Sequence, residues 1–176
     1  MNKPWFDQLH LMSILSYNPH SGEWTWISCP GKNKSFRNGK MAGSVRRIRG
    51  RPYNVIQIYK TSYASSRLAW LYMNGTWPEH CIDHSNCNSL DDRWGNLRLA
   101  TVSENNANRR SPKHKKSNLP KGVYDVGRKL KKRYQASITV NKKTIYLGMH
   151  DTPDAAHEAY KKAANNFFGQ FARTYD

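Results

Sequence analysis

The feature that most constrains the fold is a basic, proline-containing segment that divides the chain. Residues 109–121 read RRSPKHKKSNLPK, with two prolines, five Lys or Arg before Ser117 and no apolar periodicity. This composition predicts a linker, and a flexible basic segment of this kind can also lie along a phosphate backbone. Because the chain has 176 residues, we expect two small folding units with modest cores. The predicted organisation is a first domain over residues 1–109, a basic linker over 110–120 and a second domain over 121–176.

The first domain has the pattern of short strands followed by helices. The pattern of residues 1 to about 60 predicts strands and turns, as in GEWTWIS and RIRGRPYNVIQIYK. The next segment, YASSRLAWLYMNG, predicts a helix that ends at Gly75. Downstream, CIDH and NLRLAT predict two strands that pair antiparallel across the loop at residues 85–95. The T-x-x-E pattern at residues 101–104 is a capping box, which predicts a short helix carrying Asn105.

The second domain has the pattern of a small sheet with one helix. KGVYDV, RYQASITV and KTIYLGMH predict three strands, the last two joined by the short polar loop NKK. A helix follows, with Thr152 as N-cap, Pro153 in its first turn and Gly169 at its end. The predicted fold class is α+β: antiparallel strands with a strand-pair-and-helix core, then a three-stranded antiparallel sheet backed by one α-helix.

The charge of the chain indicates a nucleic-acid partner. It carries 29 Lys and Arg against 12 Asp and Glu, a formal net charge of +17, which concentrates polyanions and makes their binding salt dependent. The sequence has no apolar run of 18 residues, so we predict no membrane partner. Its N-terminal stretch lacks the pattern of a signal peptide, and we expect an intracellular protein.

The cysteines predict neither a disulfide framework nor a structural zinc site. Cys29, Cys81 and Cys87 are odd in number, so reduced thiols are expected. His80 and His84 lie near two of them, but these four residues fall within eight positions and lack the two separated ligand pairs of a structural zinc site.

The segment CIDHSNCNSLDDRWGNLRLATVSENN contains the residue types of a metal-assisted hydrolase. Asp83 and Asn105 offer the oxygen ligands that magnesium prefers, and a neutral His84 can take a proton from water near physiological pH. Neighbouring residues of a regular strand point to opposite faces, so the strand must end or twist at His84 if both side chains converge. The residues alone leave an alternative open, in which Asp83 caps a turn and His84 and the asparagines are structural.

The region around this segment resembles the HNH homing endonucleases found in phages. The resemblance is carried by SSRLAWLYMNGTWPEHCIDHSNCNSLDDRWGNLRLATVSENNANR, together with YNPHSGEWTW and GKMAG, and covers roughly residues 14–109. It implies a ββα-metal fold that binds Mg²⁺ or Mn²⁺. It also implies Asp83 and Asn105 as metal ligands, His84 as the general base, and Asn96 as a structural residue that holds the loop by hydrogen bonds to backbone.

The sequence departs from that family at two positions. Ser66 stands before Arg67 where relatives often carry His, so any contact made by that His is missing. Asp92 stands where relatives commonly have Asn. Its added negative charge is expected either to weaken the approach of phosphate slightly or to serve only the turn.

The C-terminal strands and helix resemble the plant APETALA or ethylene-response-factor DNA-binding domain over about residues 118–173. The resemblance implies that the sheet lies in the major groove, although Thr139 and Thr144 replace arginines of the plant pattern. Together with the basic residues of this region, it predicts these DNA-binding residues: Lys121, Tyr124, Arg128, Arg133, Lys142, Lys143 and Tyr146.

These features predict a metal-dependent DNA endonuclease of the HNH homing type. It would hydrolyse phosphodiester bonds in double-stranded DNA, with nicking of one strand and cutting of both left open. The family resemblance implies 5′-phosphate and 3′-hydroxyl products. The alternatives are a DNA-binding regulatory protein that keeps the fold without catalysis, and a protein that acts on RNA. We expect a monomer in the cytoplasm of a bacterial host, encoded by a phage.

Overall fold

The protein was analysed as a computed structural model that describes residues 6–31, 35–110, 118–127 and 133–174. The chain divides into two compact units, Met1–Leu99 and Ala100–Asp176. This division comes before the linker predicted at residues 110–120, most of which, 111–117, lies outside the described residues. Within the described ranges, no helix has the length and apolar character needed to cross a membrane.

The first unit is built from small sheets and two α-helices. Its elements are α1 (Gln8–Ile14), β1 (Leu15–Tyr17), β2 (Trp24–Trp26), β3 (Ser44–Ile48), β4 (Arg51–Ile58), β5 (Thr61–Ala64), α2 (Ser65–Asn74), β6 (Cys81–His84) and β7 (Leu97–Ala100), whose last residue begins the second unit. Strand β1 pairs antiparallel with β2, the strands β3, β4 and β5 form an antiparallel sheet in that order, and β6 is bonded to β7. Single 3₁₀ turns span Ser35–Arg37 and Trp94–Asn96.

Helix α1 corrects the prediction that residues 1 to about 60 hold only strands and turns. The carboxylate of Asp7 caps the helix by accepting a hydrogen bond from the His10 amide at 2.9 Å. Leu11 and Ile14 then face the core on one side of the helix. The missed signal was this N-cap followed by apolar residues three apart, which is the start of a short amphipathic helix.

The core of the first unit lies between α1, α2 and the sheets. Leu11, Trp24, Ile58 and Leu68 are almost completely buried within it. The indole of Trp24 donates to the Ser65 hydroxyl at 3.0 Å, so the polar tip of this large side chain has a partner. Helix α2 ends as predicted at Gly75, whose φ of 76° is the left-handed conformation that favours glycine there.

Strands β3 and β4 form a ribbon that is exposed at its tip. All five residues of β3 are exposed. The turn residues Arg49 and Gly50 have φ values of 50° and 80°, which is the pattern of a tight two-residue hairpin. The ribbon comprises residues 44–55, which pair from Ser44 with Val55 to Ile48 with Arg51.

The second unit contains the predicted sheet and helix. It comprises α3 (Val102–Ala107), β8 (Val123–Asp125), β9 (Tyr134–Val140), β10 (Lys143–His150), α4 (Pro153–Phe168) and a 3₁₀ turn (Gly169–Phe171). The sheet order is β10, β9, β8, and both pairs are antiparallel. The three strands, the turn between β9 and β10 and the capped helix α4 confirm those sequence predictions.

Small residues let α4 lie close to the sheet. Ala156 and Ala164 of the helix are buried, as is Ala136 of β9. The tightest approach is at Gly122, where an added Cβ would lie 2.0 Å from the Tyr160 ring and where φ is +78°. Only glycine fits both the conformation and the space at this position.

Helix α3 belongs to the second unit by its packing. The predicted capping box is confirmed, because Thr101 caps the Glu104 amide and the Glu104 carboxylate accepts from the Thr101 amide at 2.7 Å. Ala107 is buried in the same cluster as Phe168 and Phe171. At the end of the helix, the Lys121 ammonium donates to the Ala107 carbonyl at 2.5 Å, where a cation also interacts favourably with the helix dipole.

Candidate functional site

Strands β6 and β7 enclose a loop that is held by Asn96. The Ser85 amide donates to the Asn96 carbonyl at 2.9 Å, which joins the ends of the loop. The Asn96 side chain accepts from the Asn86 amide at 3.0 Å and donates to the Asp91 carbonyl at 2.7 Å. These bonds place a buried amide at the centre of the loop, with polar contacts to backbone on both of its sides.

His84 is held by a carboxylate from this loop. Its Nε2 lies 2.9 Å from Asp92 Oδ1, and both side chains are buried. A carboxylate only accepts, so in the neutral imidazole the proton lies on Nε2 and the lone pair on Nδ1. The contact therefore fixes both the orientation of the ring and its tautomer.

Asp92 is in turn fixed by the rest of the first unit. Asn54 Nδ2 donates to its Oδ2 at 2.9 Å, and the Tyr17 hydroxyl donates to its carbonyl at 2.6 Å. Burial, and then the nearby carboxylates of Asp92 and Asp91, raise the pKa of Tyr17 well above its usual range. Asp92 therefore contributes its carboxylate to a buried hydrogen-bond network. Neither of the two expectations from sequence, a weaker approach of phosphate or a role only in the turn, included this contact.

Asp83 is paired with an arginine from the neighbouring strand. Arg98 Nε and Nη2 both lie 2.8 Å from Asp83 Oδ2, and the Asp83 side chain is 5% exposed. The Arg98 guanidinium stabilises the charge of the buried Asp83 carboxylate, so removal of Arg98 would be unfavourable. The pair anchors β6 to β7 beside His84.

The two neighbouring residues Asp83 and His84 are directed to different partners. Asp83 contacts β7 and His84 contacts the loop, as expected for adjacent residues at the end of a strand. Both residues are buried, with exposures of 4% and 8%. The hairpin therefore holds a carboxylate and an imidazole next to each other, each oriented by an oppositely charged or hydrogen-bonding side chain.

Asn105 lies on α3, which belongs to the second unit. Its amide donates to the Thr101 carbonyl at 3.0 Å, in the first turn of the capped helix, and the residue is half-buried. Among the described residues, no group of three or more His, Cys, Asp or Glu is arranged to hold a metal ion. A magnesium site does not require such a group, because Mg²⁺ commonly binds one or two protein oxygens and keeps several waters.

The exposed rim of the loop carries a second ion pair. Arg93 Nε lies 2.7 Å from Asp91 Oδ1. The Arg93 hydrogen bonds, together with one from Asn86, lower the pKa of Asp91 to about 2. Asp91 is therefore ionised at neutral pH and keeps the loop closed on its outer side.

The C-terminal sheet presents a polar face that includes several predicted DNA-binding residues. Tyr124 and Tyr146 are exposed there, and the hydroxyls of Thr139 and Thr144 are 3.2 Å apart across the strands. Lys142 and Lys143 are exposed at the adjacent turn. A cavity of about 630 Å³ in the second unit is bordered by Lys121, Tyr124 and Lys142, among others, so the structure brings these three together.

Two predicted DNA-binding residues differ from that pattern. The Arg133 guanidinium makes two hydrogen bonds to the Asp125 carboxylate and lies over the Tyr134 ring. Its charge is therefore partly neutralised by an acid of the same sheet. Arg128 lies outside the described residues.

The sequence did not predict Arg98 as a residue of the site, and it did not predict that Asp92 contacts His84. Arg98 was overlooked because it stands within an otherwise apolar strand. The available signal was the presence of opposite charges on two strands predicted to pair, because such residues stabilise one another across a sheet. No local pattern indicates that Asp92 is a partner of His84.

Comparison with known proteins agrees with the location of this site. The HNH endonuclease family matches residues 63–107, which include β6, the loop, β7 and α3. The chain is 32% identical over 91 residues to a protein named "Uncharacterized HNH endonuclease L560" of Acanthamoeba polyphaga mimivirus, a match that covers 52% of this chain and 44% of that protein. The chain thus spans less than half the length of that relative.

A second relative is matched over nearly its whole length. The chain is 32% identical over 119 residues to "Protein 3.8" of Escherichia phage T7, covering 65% of this chain and 95% of that protein. No solved structure matches the chain. The chain belongs to the same family as Protein 3.8 of Escherichia phage T7 and carries an HNH endonuclease domain at residues 63–107.

Proposed function

We propose that the protein is a metal-dependent endonuclease that hydrolyses phosphodiester bonds in double-stranded DNA, of the homing type that the resemblance implies. The observation that carries the proposal is the contact between His84 and Asp92 inside the segment that matches the HNH endonuclease family. An imidazole fixed in one tautomer by a carboxylate is the arrangement that general-base catalysis uses. The net charge of +17 agrees with a nucleic-acid substrate.

In this proposal His84 accepts a proton from water at Nδ1, since Nε2 faces Asp92. The resulting hydroxide attacks phosphorus and the bond to the 3′ oxygen breaks. This leaving oxygen takes a proton from water, which gives 5′-phosphate and 3′-hydroxyl ends. Asp92 keeps the ring in position and stabilises the imidazolium that forms. Asn96 maintains the loop that carries Asp92.

The resemblance assigns Asp83 and Asn105 as ligands of Mg²⁺ or Mn²⁺ in a ββα-metal arrangement. Their carboxylate and amide oxygens are ligands of the kind that hard divalent cations prefer. The bound ion would stabilise negative charge on the phosphate and the leaving oxygen.

The second unit would add affinity for duplex DNA. The exposed tyrosines and lysines of its sheet support this role, which follows the APETALA resemblance. A tethered DNA-binding module raises the local concentration of the nuclease at DNA. The proposal also includes a first domain extending to residue 109, a monomeric protein, a phage origin and action inside a bacterial host.

A plasmid-nicking assay tests the proposal. Purified wild-type protein with Mg²⁺ or Mn²⁺ should convert supercoiled plasmid to nicked or linear forms, and His84→Ala should abolish this conversion. Asn105→Ala should weaken it, and a higher metal concentration should restore part of the activity. The matched control is His20→Ala, a histidine of the same unit outside the hairpin. Wild-type protein that cuts no DNA with either metal would refute the proposal.

The burial of Asp83 and His84 favours a second candidate, a DNA-binding regulatory protein without catalysis. In that case both side chains are structural, and Arg98 and Asp92 serve only to neutralise and satisfy them. This candidate predicts tight DNA binding with no cleavage by the wild-type protein. It is excluded if cleavage by the wild-type protein requires metal and is lost in His84→Ala while that variant remains folded and keeps its DNA affinity.

A further inference from the structure

We propose that the ribbon of β3 and β4 is a second DNA-docking element, which enters the major groove and holds the duplex next to His84. The inference rests on the proposed function, in which duplex DNA is the substrate. The DNA contacts predicted from sequence lie in the basic segment 109–121 and between residues 121 and 146, so the ribbon carries no assigned role.

The ribbon exposes both of its faces. Val45 and Ile48 are 58% and 51% exposed, and because they are three residues apart on one strand they lie on opposite faces. Apart from Val55 at its base, the ribbon has no buried residue, and a two-stranded element of this kind gains little from burial and is only marginally stable. The exposure of large apolar side chains such as Val45 and Ile48 on this ribbon indicates a surface that contacts another molecule.

The ribbon is also strongly basic. Arg46, Arg47, Arg49 and Arg51 fall within six residues, and residues 44–58 contain no acid. Arg46 donates to the Ser62 hydroxyl at 3.2 Å and Arg47 to the Gly50 carbonyl at 3.3 Å. Both acceptors are neutral, and no carboxylate of the described ranges forms an ion pair with these four arginines.

The shape of the ribbon selects duplex DNA from among polyanions. The major groove of B-form DNA is about 12 Å wide and admits a two-stranded β-ribbon, whereas the major groove of duplex RNA is too narrow for side chains to read. Arginine binds phosphates and guanine edges, and apolar side chains contact the thymine methyl group. The tight turn at Arg49 and Gly50 keeps the tip of the ribbon narrow.

The base of the ribbon is bonded to the loop that orients His84. Asn54 Nδ2 in β4 donates to the Leu90 carbonyl at 3.0 Å and to Asp92 Oδ2 at 2.9 Å. The Ser89 hydroxyl donates to the Pro52 carbonyl at 2.6 Å. DNA bound by the ribbon is therefore held at a fixed distance from the imidazole that Asp92 orients.

The test compares two double variants that remove the same charge. Arg49→Asn with Arg51→Gln alters the ribbon, and asparagine tolerates the positive φ at position 49. Lys60→Asn with Lys162→Gln removes two exposed lysines elsewhere, again with asparagine at a position of positive φ. Both are made in the His84→Ala background, and the affinity for duplex DNA is measured without metal over a range of salt concentrations. Circular dichroism confirms that each variant is folded.

We expect the ribbon variant to reduce the slope of log K against log salt by about 2, since each lost phosphate contact removes about 0.9. The lysine variant should leave the slope near that of the parent. Methylation of guanine N7, a major-groove atom, should interfere with binding of the parent and interfere less with the ribbon variant.

The proposal would be overturned if the two variants lost equal affinity for duplex DNA. It would also be overturned if the ribbon variant lost as much affinity for duplex RNA as for duplex DNA. Interference confined to adenine N3, a minor-groove atom, would also overturn it. These readouts measure binding and not cleavage. Wild-type protein that binds DNA through the ribbon but cuts no plasmid would therefore refute the nuclease proposal alone.

Discussion

Replacement of Asp92 by alanine should destabilise the first unit far more than the same change at its neighbour. Asp92 accepts hydrogen bonds from His84 and Asn54 in a buried position. A buried donor left without its acceptor costs about 1–3 kcal/mol. His84 would bear most of that cost, whereas Asn54 keeps its bond to the Leu90 carbonyl. We expect Asp92→Ala to lower the free energy of unfolding by about 1–3 kcal/mol.

The matched control is Asp91→Ala, which removes the same carboxylate one residue away. The partners of Asp91 are Arg93, whose side chain is 56% exposed, and the exposed Asn86, and exposed ion pairs contribute about 0–1 kcal/mol. Asp92→Asn should fall between the two variants. Asparagine can still accept from His84, but its amide would then face the donating amide of Asn54.

Urea denaturation followed by tryptophan fluorescence is the suitable assay. All six tryptophans lie in residues 1–99, so the signal reports the unit that contains Asp92. In the nicking assay, the activity of Asp92→Ala should fall under conditions where the protein remains folded, because the imidazole has lost its orientation. A loss of stability no larger than that of Asp91→Ala would refute the network deduced here.

Three further outcomes are expected. Arg98→Ala should lower the free energy of unfolding by about 3–5 kcal/mol in the same urea assay, because it removes the guanidinium that stabilises the buried Asp83 carboxylate; a loss under about 1 kcal/mol would contradict that pairing. Gly122→Ala should destabilise the second unit, since the new methyl group meets the Tyr160 ring and the residue needs a positive φ; circular dichroism melting checks this, and an unchanged melting temperature would contradict it. The pKa of Tyr17 is raised in the folded state, so its contribution to stability is complete below about pH 10, its unfolded pKa, and is lost as pH rises further. Tyr17→Phe should therefore show a smaller decline in stability between neutral and strongly alkaline pH, and an identical decline would count against the shift.

Local sequence signals predicted most of the secondary structure. Thr152 and Gly169 bound α4 because cap residues act within one turn of the helix. The capping box at Thr101 and Glu104 located α3 for the same reason. The alternation and turn residues of β9 and β10 predicted their hairpin. Each of these signals depends on contacts between residues close in sequence.

Local sequence signals could not predict the contacts that orient His84. Asp92 is tied to Tyr17 across 75 positions and to Asn54 across 38, and no local pattern specifies those pairings. The family resemblance suggested the role of His84 but described Asp92 only as a departure. In the structure, the aspartate at this position supplies the His84 imidazole with a carboxylate partner.

The position of α3 has a consequence for how such proteins can be divided or recombined. The helix is capped by its own residues at its start, but its buried side packs against Phe168 and Phe171, and the carbonyl of its last residue, Ala107, is bonded by Lys121. A fragment ending at residue 109 would expose Ala107 to water and lose that cation. An exchange of the C-terminal module between relatives must therefore supply a new surface for this helix, or move the junction upstream of Ala100.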